Sequence, residues 1–282
     1  LKADDAIMMD DGALTQSNNG HIRYEATTGD ITIGEINAGT AKVAVIATMG
    51  SILDLAVDTS AVDITANDLI LTAGTAIGEP ANHIETAVAT LSASSGSGGI
   101  SITETDSIIV GAVTLTLNSV QTDGTFQTVP VIQSGLSTGQ NGSIVLNAAN
   151  DITQENTIIT QTLTLKAGGN ITMSTVAATN VTDGSVFYNA EENIAVATIN
   201  ASGSNVTLKV GQNGEITDSA NDNDVNVTAK ALNIIGHGVQ SRVVKVDDQT
   251  MVLMKQKAIE TKADRIFIAG YTQSPSKMDV QT

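Results

Sequence analysis

Cysteine is absent from this chain of 282 residues, which excludes disulfide bonds, thiolate zinc sites and cysteine nucleophiles together. Tryptophan is absent too, only 2% of the residues are aromatic, and three prolines accompany twenty-five glycines. Because 41% of the residues are nonetheless hydrophobic, the core must be built from isoleucine, valine, leucine and alanine. That much branched apolar mass also argues against a disordered chain.

Basic residues are scarce: thirteen lysines and arginines stand against thirty acidic residues, for a net charge of −17. Such a charge disfavours nucleic acid and anionic membranes as partners. The longest uncharged stretches, such as residues 86–103, are too rich in serine, threonine and glycine to cross a bilayer. The first residues include neither an initiator methionine nor an apolar signal segment, so we expect an excerpt of a longer protein, with no membrane insertion.

A short unit recurs along the chain, in which a turn residue is followed by Asp or Asn, then Ile or Val, then Thr. The units begin at Asp30, Asp63, Asp151, Asn170, Asn180, Asn205 and Asn226. Asp and Asn favour turns and bond to nearby backbone, whereas the β-branched pair favours a strand. Each unit is therefore predicted to be a corner that feeds a short strand.

The spacing of apolar residues predicts how these strands are arranged. Equivalent positions recur after 19 to 21 residues, in the pairs Ile144 and Leu163, Ile152 and Ile171, Val186 and Val206, and Val206 and Val227. A β-sandwich has no reason to repeat at this period, whereas each coil of a solenoid buries its apolar face only by stacking on the next. We predict an all-β fold, a parallel β-helix with about 20 residues per coil and about 14 coils, hence a rod of about 65 Å.

Two segments depart from the period. Residues 118–142 are long and polar and are predicted to loop out of one coil of a repeat region that covers residues 1–239. Residues 240–282 carry seven basic and five acidic residues, a charge of +2, against −19 for residues 1–239. This end is predicted to be either a continuation of the solenoid or an assembly segment, with Lys255, Lys257 and Lys262 facing an acidic partner surface.

A possible hydrolase motif, "GLSTG" at residues 135–139, matches the G-x-S-x-G pattern. That motif needs a strand before the serine and a helix after it, but a turn and a strand follow here, so Ser137 is not predicted to be a nucleophile. The histidines lie in unrelated coils, where exposed turn positions are expected: His21, His83 and His237. No catalytic or cofactor-binding residue is predicted.

Pairs of acidic residues could supply the oxygen ligands that calcium prefers. They are Asp4 with Asp5, Asp10 with Asp11, Asp222 with Asp224, and Asp247 with Asp248. The calcium-binding nonapeptide of β-rolls is absent, so solvated corner charge is favoured over a metal site at each pair. Calcium is thus a candidate cofactor without assigned ligands.

Residues 69–113 carry a pattern that points to a family. It consists of Ala76-Ile77-Gly78, Asn82, Ile84-Glu85-Thr86, Gly98-Gly99-Ile100, Glu104, Asp106 and Gly111. This passage resembles the repeat region of filamentous-haemagglutinin-like exoproteins and other giant bacterial surface proteins. The resemblance implies a right-handed β-helix, secreted or attached to the cell surface, that serves as an adhesin, fibre or spacer and has no catalytic residues.

Two functions follow as hypotheses. The first is a structural and adhesive segment of a large bacterial surface protein, whose partners are other copies, a host or neighbouring cell surface, or extracellular matrix. The alternative is a carbohydrate-acting β-helix enzyme or phage tailspike. Such enzymes place carboxylates and a basic residue in one groove, and residues 1–239 contain only six lysines and arginines, which favours the first hypothesis.

Overall fold

A computed structural model of the chain describes residues 1–10, 12–55, 61–120, 123–220, 224–236, 242–245, 251–254 and 259–270. Every regular element in those ranges is a β-strand. The strands stack in parallel into a β-solenoid of about ten turns, with a spacing of about 22 residues between equivalent positions. The predicted all-β parallel solenoid is therefore confirmed.

The strands of the first half, in chain order, are β1 (Lys2–Ala3), β2 (Ile7–Met8), β3 (Leu14–Gln16), β4 (Ile22–Ala26), β5 (Ile31–Ile33), β6 (Glu35–Asn37), β7 (Lys42–Ala47), β8 (Ile52–Asp54), β9 (Ile64–Ala73), β10 (Ala76–Ile77), β11 (Ile84–Ser95), β12 (Gly99–Glu104), β13 (Ile108–Val110), β14 (Ala112–Val120) and β15 (Phe126–Ser134). Those of the second half are β16 (Leu136–Thr138), β17 (Ser143–Ala148), β18 (Ile152–Gln154), β19 (Ile158–Thr160), β20 (Thr162–Ala167), β21 (Ile171–Met173), β22 (Ala178–Val181), β23 (Val186–Ala190), β24 (Ile194–Val196), β25 (Thr198–Val210), β26 (Ile216–Asp218), β27 (Val227–Gly236), β28 (Arg242–Lys245), β29 (Met251–Met254) and β30 (Ile259–Gly270).

The register between coils follows the apolar period of the sequence. Strands β17 and β20 pair in parallel with Ile144 opposite Leu163, and β18 and β21 pair with Ile152 opposite Ile171. A slip of one residue would turn these buried side chains to solvent, so the core fixes the register. Val186 likewise lies opposite Val206.

The fourth predicted pair is wrong. Val206 lies opposite Leu232, and Val227 lies opposite Ile199 in the preceding coil. Strand β26 pairs with β24 as a regular part of this coil, and the coil is longer than the predicted period, since 28 residues separate Ile199 from Val227. The described residues form about ten turns instead of the predicted fourteen, which gives a stack of about 48 Å. The coils are longer than predicted, residues 112–134 leave the coil as a hairpin, and much of the chain after residue 236 lies outside the described ranges.

The interior is a single hydrophobic cluster that runs from Ile7 to Ile234. As the composition predicted, it consists mainly of isoleucine, valine, leucine and alanine, and its aromatic members are Tyr24 and Tyr188. Tyr188 is the largest fully buried side chain. Successive coils therefore share one core instead of closing off separate ones, which is why each turn needs its neighbours.

The corners carry a ladder of side-chain amides and carboxylates. Asp151 Oδ1 accepts hydrogen bonds from the backbone N and side-chain Nδ2 of Asn170 at 2.7 and 3.0 Å. Asn170 Oδ1 accepts from the same two groups of Asn193 at 3.1 and 2.9 Å, and Asn193 Oδ1 accepts from Glu215 N at 2.8 Å. The sequence predicted bonds within each corner, but these side chains bond to the backbone of the next coil and so tie the turns together.

The seven recurring units do not all occupy corners. Asp30, Asp63, Asp151, Asn170 and Asn226 directly precede strands, as predicted. Asn180 and Asn205 instead lie inside strands β22 and β25, where Asn180 Oδ1 accepts a hydrogen bond from Asn200 Nδ2 at 2.9 Å. The motif is short enough to occur on a strand as well as before one.

The insertion also begins earlier and ends earlier than predicted. Strands β14 and β15 form an antiparallel hairpin, with Ala112 opposite Ser134, whereas residues 136–138 already form a coil strand that pairs with β11 and β19. Gly135 N donates to Gly111 O at 2.9 Å, so the hairpin leaves and re-enters the coil at one point. Residues 112–117 alternate like a coil strand because one face of the hairpin is buried on the outside of the solenoid.

The hairpin packs on the outer surface of earlier coils. Val113 and Leu115 form a small apolar cluster with Ala44 of β7 and Ile70 of β9. Gln133 Nε2 donates to Leu71 O at 3.2 Å, and its Oε1 accepts from Thr72 Oγ1 at 2.7 Å. The hairpin is therefore anchored on one side and presents its other side to solvent.

The C-terminal segment pairs in two ways. Strand β30 pairs in parallel with β27, with Leu232 opposite Ile266, whereas β29 pairs antiparallel with both β28 and β30. Lys262 is exposed on β30, whereas Lys255 and Lys257 lie outside the described residues, so the predicted assembly surface is only partly described.

Among the described residues, no helix has the length and hydrophobicity of a membrane span.

Candidate functional site

The acidic pairs singled out in the sequence do not converge in the described part of the chain. Asp4 and Asp5 are exposed between β1 and β2, Asp10 is exposed after β2, and Asp224 is exposed before β27. The remaining members lie outside the described residues: Asp11, Asp222, Asp247 and Asp248. The one group of described residues that could hold a metal ion is instead formed by Asp54, Asp63 and Glu85.

This carboxylate cluster joins residues from successive coils. Asp54 ends β8, Asp63 precedes β9 and Glu85 lies in β11, and one potential ligand atom of each lies within 4.8 Å of the others. Asp63 and Glu85 are 5% and 4% exposed, and Asp63 Oδ2 accepts a hydrogen bond from Glu85 N at 2.8 Å. Their separation of 22 residues is one coil, which is the only signal by which the sequence could have paired them.

Burial decides the chemistry of the cluster. It raises the pKa of Asp63 to about 8, and the nearby carboxylates of Asp54 and Glu85 act in the same direction, against the effect of the Glu85 amide. Close carboxyl groups in a buried site favour a shared proton over two adjacent charges. The arrangement can thus hold a proton at neutral pH, and its oxygen ligands are also of the type that binds a hard divalent cation.

A second buried carboxyl group lies nearby in the same region of the solenoid. Glu104 is 1% exposed, and its Oε2 accepts hydrogen bonds from Thr86 Oγ1 at 2.7 Å and from Val88 N at 3.1 Å. Its other oxygen accepts from the backbone N of Thr105 and Asp106 at 3.0 and 3.3 Å. Burial outweighs these donors and raises the pKa of Glu104 to about 7.

These raised pKa values predict that stability falls as the pH rises. The folded state holds the Asp63 proton up to about pH 8 and the Glu104 proton up to about pH 7, whereas an unfolded chain releases both near pH 4. Between those limits the folded state binds more protons, so the free energy of unfolding decreases with pH. We expect the Tm to fall by at least a few degrees from pH 5 to pH 8, since about 1 kcal/mol moves it by about 2–4 °C.

The substitution Asp63→Asn should flatten this decline, as followed by circular dichroism melts at several pH values. Partial burial raises the pKa of Glu25, but Lys2 and Arg23 lower it by more, so this group acts in the opposite direction and only below pH 5. Burial lowers the pKa of the His83 ring and of the N-terminal amine, so these two groups oppose the decline within the interval, and the difference between Asp63→Asn and the unaltered chain isolates the effect of Asp63. Asp4→Asn makes the same substitution at an exposed position and is the matched control. A decline equally steep in Asp63→Asn and in the unaltered chain would contradict the prediction.

The serine and the described histidines that the sequence analysis considered form hydrogen bonds with neighbouring residues of the solenoid. Ser137 lies in β16, and its hydroxyl donates to Ser94 Oγ at 3.1 Å. His21 is exposed, and its Nδ1 accepts from Lys42 N at 3.1 Å. His83 Nδ1 lies 2.8 Å from Thr103 Oγ1, and burial lowers the pKa of its ring. His237 lies outside the described residues.

An outward-facing surface of the second half of the solenoid has a different chemistry, and we call it the basic face. It comprises two rows of stacked side chains and a short third one on strands β17, β20, β23, β25, β27 and β30. The first row is Val145, Thr164, Phe187, Thr207, Asn233 and Phe267; the second is Asn147, Lys166, Asn189, Lys209, Ile235 and Ala269; the third is Asn205, Ala231 and Arg265.

The basic face has no carboxylate in any of its three rows, in a chain with thirty acidic residues. Lys166, Lys209 and Arg265 form no ion pair with a described residue, and neither does Lys230 at the corner of the face, although Asp264 is close along β30. The first coils differ, because there the cations are neutralised. Lys2 and Arg23 both pair with Glu25, and Lys42 pairs with Asp68, at 2.6 to 2.8 Å.

A shallow groove of about 340 Å³ lies at the end of the basic face, between β25, β27 and β30. It is lined by Asn205, Lys230, Ala231, Asn233, Arg265 and Phe267. The Phe267 side chain is 52% exposed, so its ring is open to solvent. The groove therefore combines two cations, two amides and an accessible aromatic ring.

Comparison with protein-family models, with curated proteins and with solved structures gave no match to the chain. Its function must therefore be inferred from the fold, the buried carboxyl groups, the hairpin and the basic face.

Proposed function

We propose that the chain is a structural and adhesive segment of a large secreted or surface-attached bacterial protein, in which the solenoid is a stiff spacer that presents surface groups to partners. The observation that carries this proposal is the continuity of the stack. One core runs from Ile7 to Ile234, and the corner ladder from Asp151 to Glu215 bonds each coil to the next. A rod of this kind resists bending because a bend at any point must open the shared core and the hydrogen bonds between the two coils that meet there.

The hairpin supports the adhesive part of the proposal. It leaves the coil between Gly111 and Gly135 without disturbing the register on either side, since Ile100 still lies opposite Ile144 and Ile108 opposite Ile152. Phe126 near its tip and Ile132 on its outer side are 71% and 73% exposed. Exposed apolar groups on an anchored projection are typical of contact sites.

The alternative of a carbohydrate-acting enzyme would rest on the carboxyl groups of Asp63 and Glu85. Both are at least 95% buried, so a polysaccharide would have to displace part of the coil to reach them. The open groove, by contrast, is lined by cations, amides and an aromatic ring, with no acid in the position of a general acid or base. Binding without turnover is therefore the function that this surface supports.

The proposal predicts retention on a surface without chemical change. Beads that carry the chain are passed over epithelial cells, bacterial cells, immobilised collagen and immobilised fibronectin, and a panel of polysaccharides is assayed in parallel for new reducing ends and unsaturated sugars. We expect retention on at least one surface and no release of sugar. A variant in which residues 112–134 are replaced by a short Gly-Ser link separates contacts made by the hairpin from those made by the coils.

Two results would contradict the proposal. Failure of the beads to attach to any of the surfaces would remove the adhesive function. Release of reducing ends or unsaturated sugars, abolished by Asp63→Asn together with Glu85→Gln, would establish the enzyme in its place.

A further inference from the structure

We propose that the basic face binds an anionic polysaccharide chain that runs along the solenoid axis, with the groove at β25, β27 and β30 as its main subsite at one end of the face. This inference rests on the proposed adhesive function and deepens it by giving it a ligand class. It depends on the composition, spacing and electrostatics of the rows of the basic face.

The spacing of the rows suits a linear polymer. Neighbouring strands of the stack lie about 4.8 Å apart, so the side chains of a row repeat at a distance close to the length of a sugar ring. Phe187 and Phe267 occupy one row with Thr207 and Asn233 between them. Lys166 and Lys209 occupy the next row with Asn189 between them. A chain along the axis would therefore meet aromatic, amide and cationic groups in alternation.

The chemistry of the groups suits an acidic sugar. The guanidinium group of Arg265 can donate two parallel hydrogen bonds to a carboxylate or sulfate, and the ammonium groups of Lys209 and Lys230 add positive charge. The exposed ring of Phe267 offers a flat apolar surface to the face of a sugar ring. The amides of Asn205 and Asn233 can both donate to and accept from hydroxyl groups.

The cations of this face are available for a ligand. Lys166, Lys209, Lys230 and Arg265 have no ion-pair partner among the described residues, whereas the cations of the first coils are engaged by Glu25 and Asp68. Asn189, between two of the lysines, is 9% exposed, and its Oδ1 has no hydrogen-bond partner among the described residues. That oxygen is enclosed, so the contacts of this row with a sugar come from the lysines on either side of it.

The charge of the whole chain restricts the ligand further. A net charge of −17 repels a densely charged polymer such as nucleic acid, and the face supplies few cations to neutralise phosphates. A polysaccharide with one charge per sugar or per disaccharide can still bind the cations and stack on the aromatic ring of the face. It is repelled less by the net negative charge of the chain. The charge complementarity is therefore local to the face and favours a glycan of moderate charge density.

Affinity electrophoresis and biolayer interferometry with the full chain test the inference. The probes are polygalacturonate, which carries carboxylates, dextran sulfate, which carries sulfates, and neutral dextran. We expect binding of one or both anionic probes, weakened by added salt, and none of neutral dextran. Comparison of the two anionic probes shows which acid group the face selects.

Substitutions on the face should weaken this binding by defined amounts. Arg265→Gln and Lys209→Gln are each expected to lower the affinity roughly threefold to tenfold, because each removes a charge-assisted contact, from the exposed Arg265 or from the half-buried Lys209. Phe267→Ala should lower it about fivefold through the loss of stacking. The matched control is Lys262→Gln, an exposed cation on the same strand but on another side of the coil, which should leave the affinity unchanged. Unaltered circular dichroism melts confirm that each variant is folded.

Four results would overturn the inference, and the first three come from the binding assays. The first is equal retention of charged and neutral dextrans. The second is a loss of affinity in Lys262→Gln as large as that in Arg265→Gln. The third is competition by oligothymidylate at the same concentration of charge, which would indicate a general affinity for polyanions. Attachment of the beads to cells or matrix without binding of either anionic probe would overturn this inference alone, whereas turnover of a probe would overturn the proposed function.

Discussion

Replacement of Tyr188 by alanine is expected to lower the free energy of unfolding by about 3–5 kcal/mol. The ring is fully buried at the centre of β23, and the shared core leaves no solvent-facing position into which neighbouring coils could relax. The hydroxyl group adds to the loss, since it lies 2.6 Å from Thr179 Oγ1 and donates to Gln154 Oε1 at 3.2 Å. Removal of the side chain would leave a large cavity together with two polar groups that have lost a partner.

The variant Tyr188→Phe separates these two contributions. It keeps the ring but removes the hydroxyl group, so the expected loss is about 1–2 kcal/mol. Urea unfolding followed by far-ultraviolet circular dichroism gives both values under the same conditions. Equal losses for Tyr188→Ala and Tyr188→Phe would show that packing of the ring contributes little, in contradiction to its fully buried position.

Substitution of Gly135 by alanine is the second change with a large expected effect. Gly135 connects the hairpin to β16 with a φ of +68°, a conformation that costs an alanine about 1–2 kcal/mol. A Cβ atom there would also overlap the carbonyl oxygen of Thr157 in the next coil. Because that oxygen accepts a hydrogen bond from Leu136 N at 3.2 Å, it cannot move away without loss of a contact between coils. The steric overlap adds about 1–3 kcal/mol, so the expected total is about 2–5 kcal/mol.

Gly124 provides the matched control for the effect of backbone conformation. It has a φ of +81°, but no atom lies within 4 Å of a Cβ built there. Gly124→Ala should therefore cost only about 1–2 kcal/mol within the hairpin turn, with little effect on the coils. Urea unfolding of both variants measures the difference. A loss for Gly124→Ala as large as that for Gly135→Ala would mean that conformation alone, and not the approach of the next coil, makes glycine necessary at position 135.

Both changes act on contacts between coils, which is also where the pH dependence arises. Asp63 and Glu85 come from neighbouring turns, and so do Glu104 and Thr86. In a stack where each turn is stable only against its neighbours, a local loss at one coil weakens the coils on both sides. The central coils are therefore expected to be the most sensitive to substitution.

The sequence alone determined the fold class and much of the register. The pairing of Ile152 with Ile171, like that of Ile144 with Leu163, follows from the residues themselves, because a 19-residue period and the strand alternation leave one arrangement that buries both side chains. The aliphatic composition of the core followed from the lack of aromatic residues. Five of the seven recurring units were correctly placed before strands for the same local reasons.

Only the tertiary structure decided which surface buries the apolar side chains of an alternating segment. The apolar residues of 112–117 have the pattern of a coil strand, yet they pack against Ala44 and Ile70 on the outside of the solenoid. A period-two pattern records that one face is buried but not which surface buries it. For the same reason Val206 and Val227, at a plausible spacing, belong to different faces of the coil once the greater length of this coil is included.

The candidate sites were decided by the tertiary structure as well. Asp63 meets Glu85 because one coil separates them, and Lys209 joins the same face as Arg265 because the longer coils that follow β25 bring those positions together. Local chemistry in the sequence determines corners, strands and core, since these depend on neighbours along the chain. The buried carboxyl cluster and the basic face depend on neighbours across coils, and their positions follow only when the length of every loop between them is known.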